Sequence, residues 1–322
     1  MNNTTLQNWI PYQLFLQEEQ LLCNWIYLNN KAFTEPFFDE TILACRQFKE
    51  NTQLLKCVST IDFIKDAADT IKNIAPSVFI FHVSRCGSTL ASQLLALDKK
   101  SIVLSEVPFL DELIRWKFKD KNNEDLFPYL KHAVALYGQK RSGEEKNLVI
   151  KTDSWHVLFY DELRKLFPST PFILLYRNPA EVIRSHQKRR GIQAVPGLLQ
   201  PTIFGFDAAE INQLSLDEYM AKVLEKYFEK FLSIISSDKN SLAINYNECA
   251  VSITKKIAAI AKIDLTEKDL EAIKARAGFH AKYPEQKFLE ETPEEKIPPY
   301  LSKVTDLYKK LEREKIATIQ YP

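Results

Sequence analysis

The chain has 322 residues, of which 45% are hydrophobic and 26% are charged, and its formal net charge is +1 at pH 7. These values are ordinary for a globular protein, and the charge gives no basis for general binding to nucleic acid or to an anionic membrane. The length suits one large domain, or a domain with an appendage. Any anion site must therefore be a local cluster of lysine and arginine side chains.

The five cysteines and the first residues bear on the cellular compartment. No CxxC pair occurs, so the cysteines predict neither a zinc site nor a disulfide framework. The N-terminus lacks a basic segment followed by an apolar run, and no apolar stretch approaches the roughly 20 residues of a membrane-spanning helix. We therefore expect a cytoplasmic protein with reduced cysteines, no signal peptide and no membrane span.

The first part of the chain, residues 1–75, reads as a helical N-terminal region. Apolar residues recur at helical spacing over 12–28 and 38–51, and more weakly over 61–74. We expect this extension to pack on the following domain or to line an acceptor site.

A different pattern covers residues 76–322, where short apolar runs alternate with amphipathic stretches. This alternation predicts βαβ units and an α/β fold, a P-loop NTPase-like parallel sheet with helices on both faces. Ligands of such sheets bind beyond the carboxyl ends of the strands. The predicted strands are 78–83, 102–104, 148–151, 172–176 and 242–246, and the predicted helices are 88–97, 110–119, 126–137, 157–167, 180–190, 216–236 and a closing helix at 297–311.

The first predicted strand is followed by the segment SRCGSTL (84–90) and then by a helix. Backbone N–H groups at a helix start carry partial positive charge and suit a phosphate. Gly87 lets the backbone approach a ligand closely, Ser88 and Thr89 add hydroxyl groups, and Arg85 adds a charge that can bind bidentately. A helix capped by Ser88 without any ligand is the simpler alternative.

This loop differs from the NTPase pattern G-x-x-x-x-G-K-[ST] at two positions. That pattern would place glycine where His82 stands, and it would place lysine directly after Gly87. The loop therefore predicts phosphate binding without the group that reaches a γ-phosphate, which argues against ATP hydrolysis.

A second anion site follows the strand predicted at 172–176. Arg177 comes directly after this strand, and Ser185 lies two turns along the next predicted helix. An arginine and a serine in these positions can hold a separate phosphate. Arg189 and Arg190 add positive charge nearby, although at least one of them is expected to be a solvated helix end.

The stretches FHVSRCGSTLASQLL and FILLYRNPAEVIRSHQKRR together resemble the PAPS-dependent sulfotransferase family, and its bacterial-type, glutamate-using members in particular. The likeness covers roughly residues 77–249. It implies a 3′-phosphoadenosine 5′-phosphosulfate (PAPS) donor, which carries phosphates at both ends. Carried over to this sequence, the 5′ end would be held by Arg85, Gly87, Ser88 and Thr89, in a binding loop that also contains Cys86. The 3′-phosphate would be held by Arg177 and Ser185, and Tyr246 would touch the adenine.

Three departures from the family pattern concern the donor. Cys86 stands where serine is usual, and we interpret it as a small packing residue. Leu90 replaces the aromatic residue that stacks on adenine in the cytosolic members, and their Lys-Gly-x-x-Gly-x-Trp stretch is absent. The adenine must therefore be held in another way. Tyr246 has an equally simple interpretation as a half-buried tyrosine at a strand end.

Glu106, Lys151 and Asp153 are the candidates for the chemistry of sulfuryl transfer, and His156 is a lower-ranked alternative base. Glu106 follows the strand at 102–104, and its placement resembles the catalytic glutamate of protein-tyrosine sulfotransferases; alternatively it caps the next helix. Lys151 ends a strand and resembles the family lysine that neutralises the bridging oxygen. Asp153 is the alternative base, or a helix cap, and His156 ranks third. A positioned base contributes roughly 10²–10⁴-fold to a rate.

No metal is expected, because cationic side chains can neutralise a sulfuryl group and no sequence cluster resembles a metal site. The acceptor is a small molecule, carbohydrate, lipid or peptide whose pocket we expect to involve 1–75, 191–207 and 281–295. The loop at 191–207 is either a surface connection or a lid. Two rival functions are a P-loop kinase or NTPase-like phosphotransferase and a non-catalytic nucleotide-binding module. The oligomeric state is not predicted.

Overall fold

Two sheets organise the structure, a computed structural model that describes residues 6–119, 124–279 and 298–318. The first sheet is antiparallel, with strands β1 (Trp9–Gln17), β2 (Gln20–Tyr27) and β3 (Val58–Thr60). The second is parallel, with strands β4 (Val78–His82), β5 (Ser101–Ser105), β6 (Asn147–Lys151), β7 (Phe172–Tyr176) and β8 (Ser241–Asn245).

The α-helices of the described residues connect and cover these strands, and short 3-10 turns join several of them. They are α1 (Phe38–Cys45), α2 (Phe63–Asp69), α3 (Ser88–Leu95), α4 (Pro108–Lys119), α5 (Leu130–Tyr137), α6 (Tyr160–Leu166), α7 (Pro179–Lys188), α8 (Ala208–Ile211), α9 (Leu216–Ser237), α10 (Ala250–Ile260), α11 (Glu267–Ala277) and α12 (Ser302–Thr318). None of these helices is long and apolar enough to cross a membrane.

The parallel sheet confirms the predicted α/β fold. Its strand order is β5-β6-β4-β7-β8, and all four pairings are parallel. Every residue of β4 and β7 is buried, so both faces of these strands are covered. Each of the five predicted strands agrees with the structure to within one residue at either end. The carboxyl ends of all five strands meet at one edge of the sheet, where the predicted site residues follow.

The prediction of a helix over 12–28 is wrong, because this segment forms the hairpin of β1 and β2. The strands pair antiparallel with a register shift between Pro11 and Gln13, which breaks the simple alternation of apolar residues. The two-residue turn is Glu18-Glu19, and both residues have positive φ, 48° and 64°. Such turns usually carry glycine or asparagine, so the sequence contains no hairpin signal here.

The rest of the N-terminal region is only partly helical. The helix predicted over 38–51 is shorter, since α1 ends at Cys45 and a 3-10 turn covers Lys49–Asn51. The region packs on the parallel-sheet part of the chain: the backbone N–H of Leu14 donates to Glu112 of α4 at 2.7 Å, and the rings of Phe38 and Tyr137 meet edge-on at 5.5 Å. The domain division at residue 75 stays a prediction.

The loop at 191–207 packs against the parallel-sheet part of the chain. Ala194, Leu199 and Phe204 are buried, and the amide of Gln193 donates to the hydroxyl of Ser84 at 2.8 Å. The closing helix predicted at 297–311 is present as α12, shifted towards the C-terminus. The stretch 281–295, which we expected near the acceptor, lies outside the described residues.

Candidate active site

One cavity of about 470 Å³ lies at the carboxyl edge of the parallel sheet. The sequence-predicted residues that line it are Arg85, Cys86, Gly87, Ser88, Thr89, Glu106, Asp153, Arg177, Ser185 and Tyr246. The other lining residues include Phe37, His82, Leu90, Trp155, Arg189, Arg190, Gln193 and Phe279. The structure therefore brings the two predicted anion sites and two of the three predicted catalytic residues to a single cavity.

The loop after β4 is held in an unusual backbone conformation. Ser84, Arg85 and Gly87 all have positive φ, at 68°, 51° and 76°. Residues other than glycine persist in this region only when their surroundings enforce it, and such residues cluster at functional sites. A Cβ atom at Gly87 would lie 2.7 Å from the ring of Tyr246, so glycine is required by both backbone and packing.

The start of α3 is open towards a ligand. Its N-cap residue is Gly87, and no side chain caps the helix, which removes the interpretation that Ser88 is merely a cap. The first N–H groups of a helix need partners and carry partial positive charge. The cavity edge formed by Gly87, Ser88 and Thr89 is therefore suited to an anion.

Cys86 lies within this loop, but its side chain packs inward. The thiol is buried and contacts the carbonyl of Leu175 at 3.5 Å. Burial raises the pKa of Cys86 to about 11, so the thiol is protonated at neutral pH. This arrangement agrees with a packing residue rather than a reactive thiolate.

The second predicted anion site lies where β7 and β8 end. Arg177 pairs with Glu181 one turn along α7 at 2.5 Å, and its guanidinium lies 4.2 Å from the centre of the Tyr246 ring. Asn178 caps α7 by accepting from the N–H of Ala180 at 2.9 Å. These contacts hold Arg177 beside Tyr246, whose ring lies so close to Gly87 that it would meet a Cβ there, so one aromatic ring adjoins both predicted anion sites.

Further arginines surround the loop. The guanidinium of Arg85 donates to the backbone carbonyl of Arg189, and Arg190 pairs with Asp217 of α9 at 2.5 Å. Arg190 is therefore a paired residue that lines the cavity. The exposed side chain at the end of α7 belongs to Arg189, so the solvated helix end expected for at least one of the two is Arg189. Arg85 remains the loop's own cation at the cavity.

Glu106 and Lys151 form an ion pair at the end of β5 and β6. The ammonium of Lys151 lies 2.5 Å from the Glu106 carboxylate, and its side chain is completely buried, whereas the Glu106 side chain is 23% exposed. The backbone N–H of Glu106 also donates to the Lys151 carbonyl at 2.9 Å, and Glu106 has a φ of 56°. The Glu106 carboxylate lines the cavity, and the buried Lys151 ammonium pairs with it.

His82 joins this pair, although the sequence indicated no role for it. The ring is buried; its Nδ1 accepts from the backbone N–H of Ser84 at 3.1 Å, and its Nε2 lies 2.9 Å from the Thr152 carbonyl and 3.4 Å from Glu106. Since Nδ1 accepts, the proton of the neutral ring is on Nε2. Burial lowers the pKa of His82, which keeps the ring neutral. The histidine thus contacts both the loop after β4, at Ser84, and the Glu106 carboxylate.

The two candidate bases have opposite electrostatic surroundings. Burial opposes the charge on Glu106, but Lys151 and His82 outweigh it and hold the pKa of Glu106 well below its usual range. Burial raises the pKa of Asp153 well above its usual range, and the charges of Asp111 and Glu106 raise it further. Glu106 is therefore ionised at neutral pH, while Asp153 is more readily protonated than an ordinary aspartate.

Asp111 of α4 is the centre of a buried network that the sequence did not reveal. Its Oδ1 accepts from Trp155 at 2.7 Å, from His156 at 2.9 Å and from Arg115 at 2.6 Å, and its Oδ2 accepts from Arg115. Burial opposes ionisation, but His156 and Arg115 outweigh it and lower the pKa of Asp111. His156, ranked third as a base, is therefore bound to the Asp111 carboxylate and is not part of the Glu106–Lys151 pair.

Asp111, Asp153 and His156 place potential ligand atoms within 4.8 Å of one another. The oxygens of Asp111 already accept four hydrogen bonds, so a cation would have to displace Arg115, Trp155 or His156. The donor set therefore fits a closed hydrogen-bond network better than a metal site.

Two aromatic side chains enter the cavity from segments without a recognisable motif. Phe37 comes from the N-terminal region, and the Lys151 ammonium lies 5.6 Å from its ring centre. Phe279 comes from the segment after α11, and it lines the cavity together with Leu90. Both are half-buried. The sequence did not predict that either phenylalanine lines the cavity, because a single phenylalanine outside a periodic pattern is not distinctive.

Comparisons with known proteins bear on the fold. No protein-family model matches the chain, and no curated protein matches it. Solved structures that are similar to it include three sulfotransferases. The sulfotransferase domain from the curacin biosynthetic pathway is 14% identical over 75% of this chain and 99% of its own length, with a TM-score of 0.49. The sulfotransferase STF9 from Mycobacterium avium is 13% identical over 88% and 85%, with a TM-score of 0.48.

The third, a sulfotransferase from Alicyclobacillus acidocaldarius, is 13% identical over 77% of this chain and 97% of its own, with a TM-score of 0.43. At these identities the likeness concerns the fold alone. The roles of the site residues stand on the geometry of the cavity.

Proposed function

We propose that the protein is a sulfotransferase that moves a sulfuryl group from PAPS to a hydroxyl or amine of an acceptor. The observation that carries this proposal is one cavity with cationic or N–H-rich surfaces at two places and a lysine–glutamate pair beside them. A nucleotide with phosphates at its 5′ and 3′ ends matches such a cavity in charge.

The 5′ end of the donor is assigned to the loop after β4. Arg85 would supply charge, and the uncapped start of α3 at Gly87, Ser88 and Thr89 would supply N–H and hydroxyl donors. The rest of the donor is assigned to Arg177 and Ser185 at the 3′-phosphate. The adenine would contact Tyr246, Leu90 and Phe279, so that Phe279 takes the place of the missing family aromatic.

The chemistry is assigned to the pair at the ends of β5 and β6. The donor, when bound, supplies the sulfuryl group and a phosphate leaving group. Glu106, which is ionised, would accept the proton of the acceptor hydroxyl, while Lys151 would neutralise the negative charge that develops at the leaving oxygen. As the Lys151 ammonium turns to that oxygen, its hold on Glu106 weakens, which makes the carboxylate a stronger base.

We propose that this transfer uses side-chain cations rather than a metal. The Arg85 guanidinium lines the cavity and the Lys151 ammonium lies directly against the Glu106 carboxylate that lines it, whereas the Asp111 network has its acceptors in use. Asp153, which is more readily protonated than an ordinary aspartate, would donate a hydrogen bond to the acceptor rather than take a proton from it. Phe37 would form part of the acceptor side of the cavity.

A kinase or NTPase-like activity is less well supported. After Gly87 the chain continues with Ser88, so the loop lacks the lysine that contacts the γ-phosphate. A non-catalytic module would not need a buried lysine held on a partly exposed carboxylate, which requires energy to maintain.

Calorimetry with three nucleotides tests the proposal without knowledge of the acceptor. We expect 3′-phosphoadenosine 5′-phosphate to bind more tightly than 5′-AMP, and neither to depend on Mg²⁺. At about 100 times its Kd the bisphosphate should stabilise the fold by ~2.7 kcal/mol. Tighter binding of Mg²⁺-ATP than of the bisphosphate would support the kinase interpretation instead. Labelled PAPS can then be screened against acceptor classes.

A further inference from the structure

The C-terminal helix α12 reaches the ends of β7 and β8 from outside the cavity. Its Glu312 accepts hydrogen bonds from the hydroxyl of Tyr176 and, at 2.9 Å, from the amide of Asn245. Its Tyr308 contacts the same amide at 3.0 Å. Tyr176 and Asn245 are the last residues of their strands and are 0% and 3% exposed. One carboxylate of α12 thus joins the ends of two neighbouring strands.

The two bonded residues directly precede two predicted ligand residues. Tyr176 is followed by Arg177, and Asn245 is followed by Tyr246. Arg177 lies over the Tyr246 ring, and that ring touches Gly87 of the first anion site. A shift at either strand end would therefore move a side chain that lines the cavity.

A second contact from α12 holds the same corner. Lys315 pairs with Glu248, which also pairs with Lys256 of α10 at 2.5 Å and accepts from the backbone N–H of Asn245 at 3.1 Å. Burial opposes the charge on Glu248, but Lys256 and Lys315 outweigh it and lower its pKa, so Glu248 stays ionised. The turn after β8, which carries Tyr246, is therefore bound to α12 on two sides.

We propose that Glu312 is a positioning residue for the 3′-phosphate site. It touches no ligand itself, and it acts by fixing Tyr176 and Asn245 so that Arg177 and Tyr246 lie where the 3′ end of the donor is held. Burial and the Glu312 carboxylate raise the pKa of Tyr176, so this hydroxyl remains a donor at any working pH. The inference rests on the proposed function and adds to it a dependence of donor recognition on α12.

The test measures the share of affinity that comes from the 3′-phosphate. Calorimetry gives the Kd of 5′-AMP divided by the Kd of 3′-phosphoadenosine 5′-phosphate for the full chain and its variants. Glu312→Ala is expected to lower this ratio about tenfold, the equivalent of one well-placed hydrogen bond to a charged group. Glu312→Gln, whose amide oxygen can still accept from Tyr176, should restore most of the ratio.

Two further variants serve as controls. Glu314→Ala removes a carboxylate from the same helix, where it pairs with Lys310 at 3.6 Å, and it should leave the ratio unchanged. Tyr176→Phe deletes only the hydroxyl that donates to Glu312, and it should lower the ratio in the same direction. This variant decides the question if Glu312→Ala does not fold.

The outcomes separate the inference from the proposed function. If the wild-type protein shows no preference for the bisphosphate, the proposed function fails. If the wild-type protein prefers the bisphosphate and both Glu312→Ala and Tyr176→Phe retain that preference, the positioning role is overturned. An equal loss of affinity for both nucleotides also overturns it, since that result indicates a general structural role.

Discussion

Two carboxylates follow neighbouring strands at the same edge of the sheet, and the structure gives them opposite properties. Glu106, after β5, lies against the Lys151 ammonium and the His82 ring. Asp153, after β6, lies near the negative charge of Asp111. Burial disfavours the charge of both. For Glu106 the contacts with Lys151 and His82 outweigh burial and its pKa falls, whereas for Asp153 the charges of Lys151 and Arg115 do not outweigh burial and the negative charges of Asp111 and Glu106, so its pKa rises.

This contrast indicates that position at a strand end does not define a base. An ionised carboxylate can take a proton from an acceptor, whereas a protonated carboxyl cannot and instead has an O–H to donate. The neighbours that create the difference, Lys151 for one and Asp111 for the other, come from separate elements. The contrast therefore makes predictions that can be tested by altering the carboxylates and their neighbours in turn.

The largest effect is expected for Glu106→Gln. Loss of the base should lower turnover by about 10²–10⁴-fold, while the amide keeps the shape of the side chain. Binding of 3′-phosphoadenosine 5′-phosphate should be retained. Rates with labelled PAPS and an acceptor from the screen measure turnover, and calorimetry measures binding of the bisphosphate. Full activity in this variant would remove Glu106 from the mechanism.

Lys151→Met should alter both the rate and its pH dependence. Removing one partner of a buried ion pair costs about 3–5 kcal/mol of stability, and it leaves Glu106 without its cation. The pKa of Glu106 then rises, because burial is no longer offset. In the wild-type protein the acid limb of kcat/KM should lie below the ordinary glutamate range near ~4.3.

In Lys151→Met the acid limb should move to higher pH, and turnover should fall as charge on the leaving oxygen is no longer neutralised. Glu106→Gln is the matched control, since it should have no such limb. An unmoved acid limb in Lys151→Met would contradict the electrostatic account of Glu106.

Arg177→Ala tests binding of the donor, which substitutions of Glu106 and Asp153 should not affect. A hydrogen bond to a charged group contributes ~1.5–3 kcal/mol, so affinity for 3′-phosphoadenosine 5′-phosphate should fall about 10–100-fold. Affinity for 5′-AMP should change much less. Unchanged binding of the bisphosphate would show that the second anion site lies elsewhere.

The smallest effect is expected for Asp153→Asn. A carboxyl whose folded pKa is raised loses stability as pH rises from its unfolded value, near ~3.9, through the folded one. Asparagine mimics the protonated form, so the variant should be more stable than the wild type at pH 7, and the difference should vanish near pH ~3. Urea unfolding at both pH values measures this.

Turnover of Asp153→Asn should remain well above the ~10²–10⁴-fold loss that is expected when a base is removed. A loss as large as that of Glu106→Gln would reverse the assignment of the two carboxylates.

The residues at the carboxyl edge of the sheet could be predicted because each directly follows a recognisable strand in the sequence. A buried strand such as β7 reads as a continuous apolar run, and the residue that follows it, Arg177, must lie at the carboxyl edge. The N-terminal hairpin could not be predicted in this way. Its turn residues, Glu18 and Glu19, adopt positive φ although neither is glycine, so the residue types did not indicate a hairpin turn.

The chemistry of the site could be predicted from the sequence only in part, for a different reason. Glu106 and Asp153 both follow predicted strands, and nothing local separates them. Their pKa values depend on contacts between residues far apart in sequence, such as Asp111 with His156 and Lys151 with Glu106. Phe37 reaches the cavity through tertiary packing of a region that the sequence assigned to helices.

A co-crystal structure with 3′-phosphoadenosine 5′-phosphate tests the central claim most directly. The account predicts the 5′-phosphate at the loop after β4, against Gly87 and the start of α3, and the 3′-phosphate at Arg177 and Ser185. A bisphosphate that leaves either of these surfaces without a phosphate, or that binds outside the cavity, would contradict it.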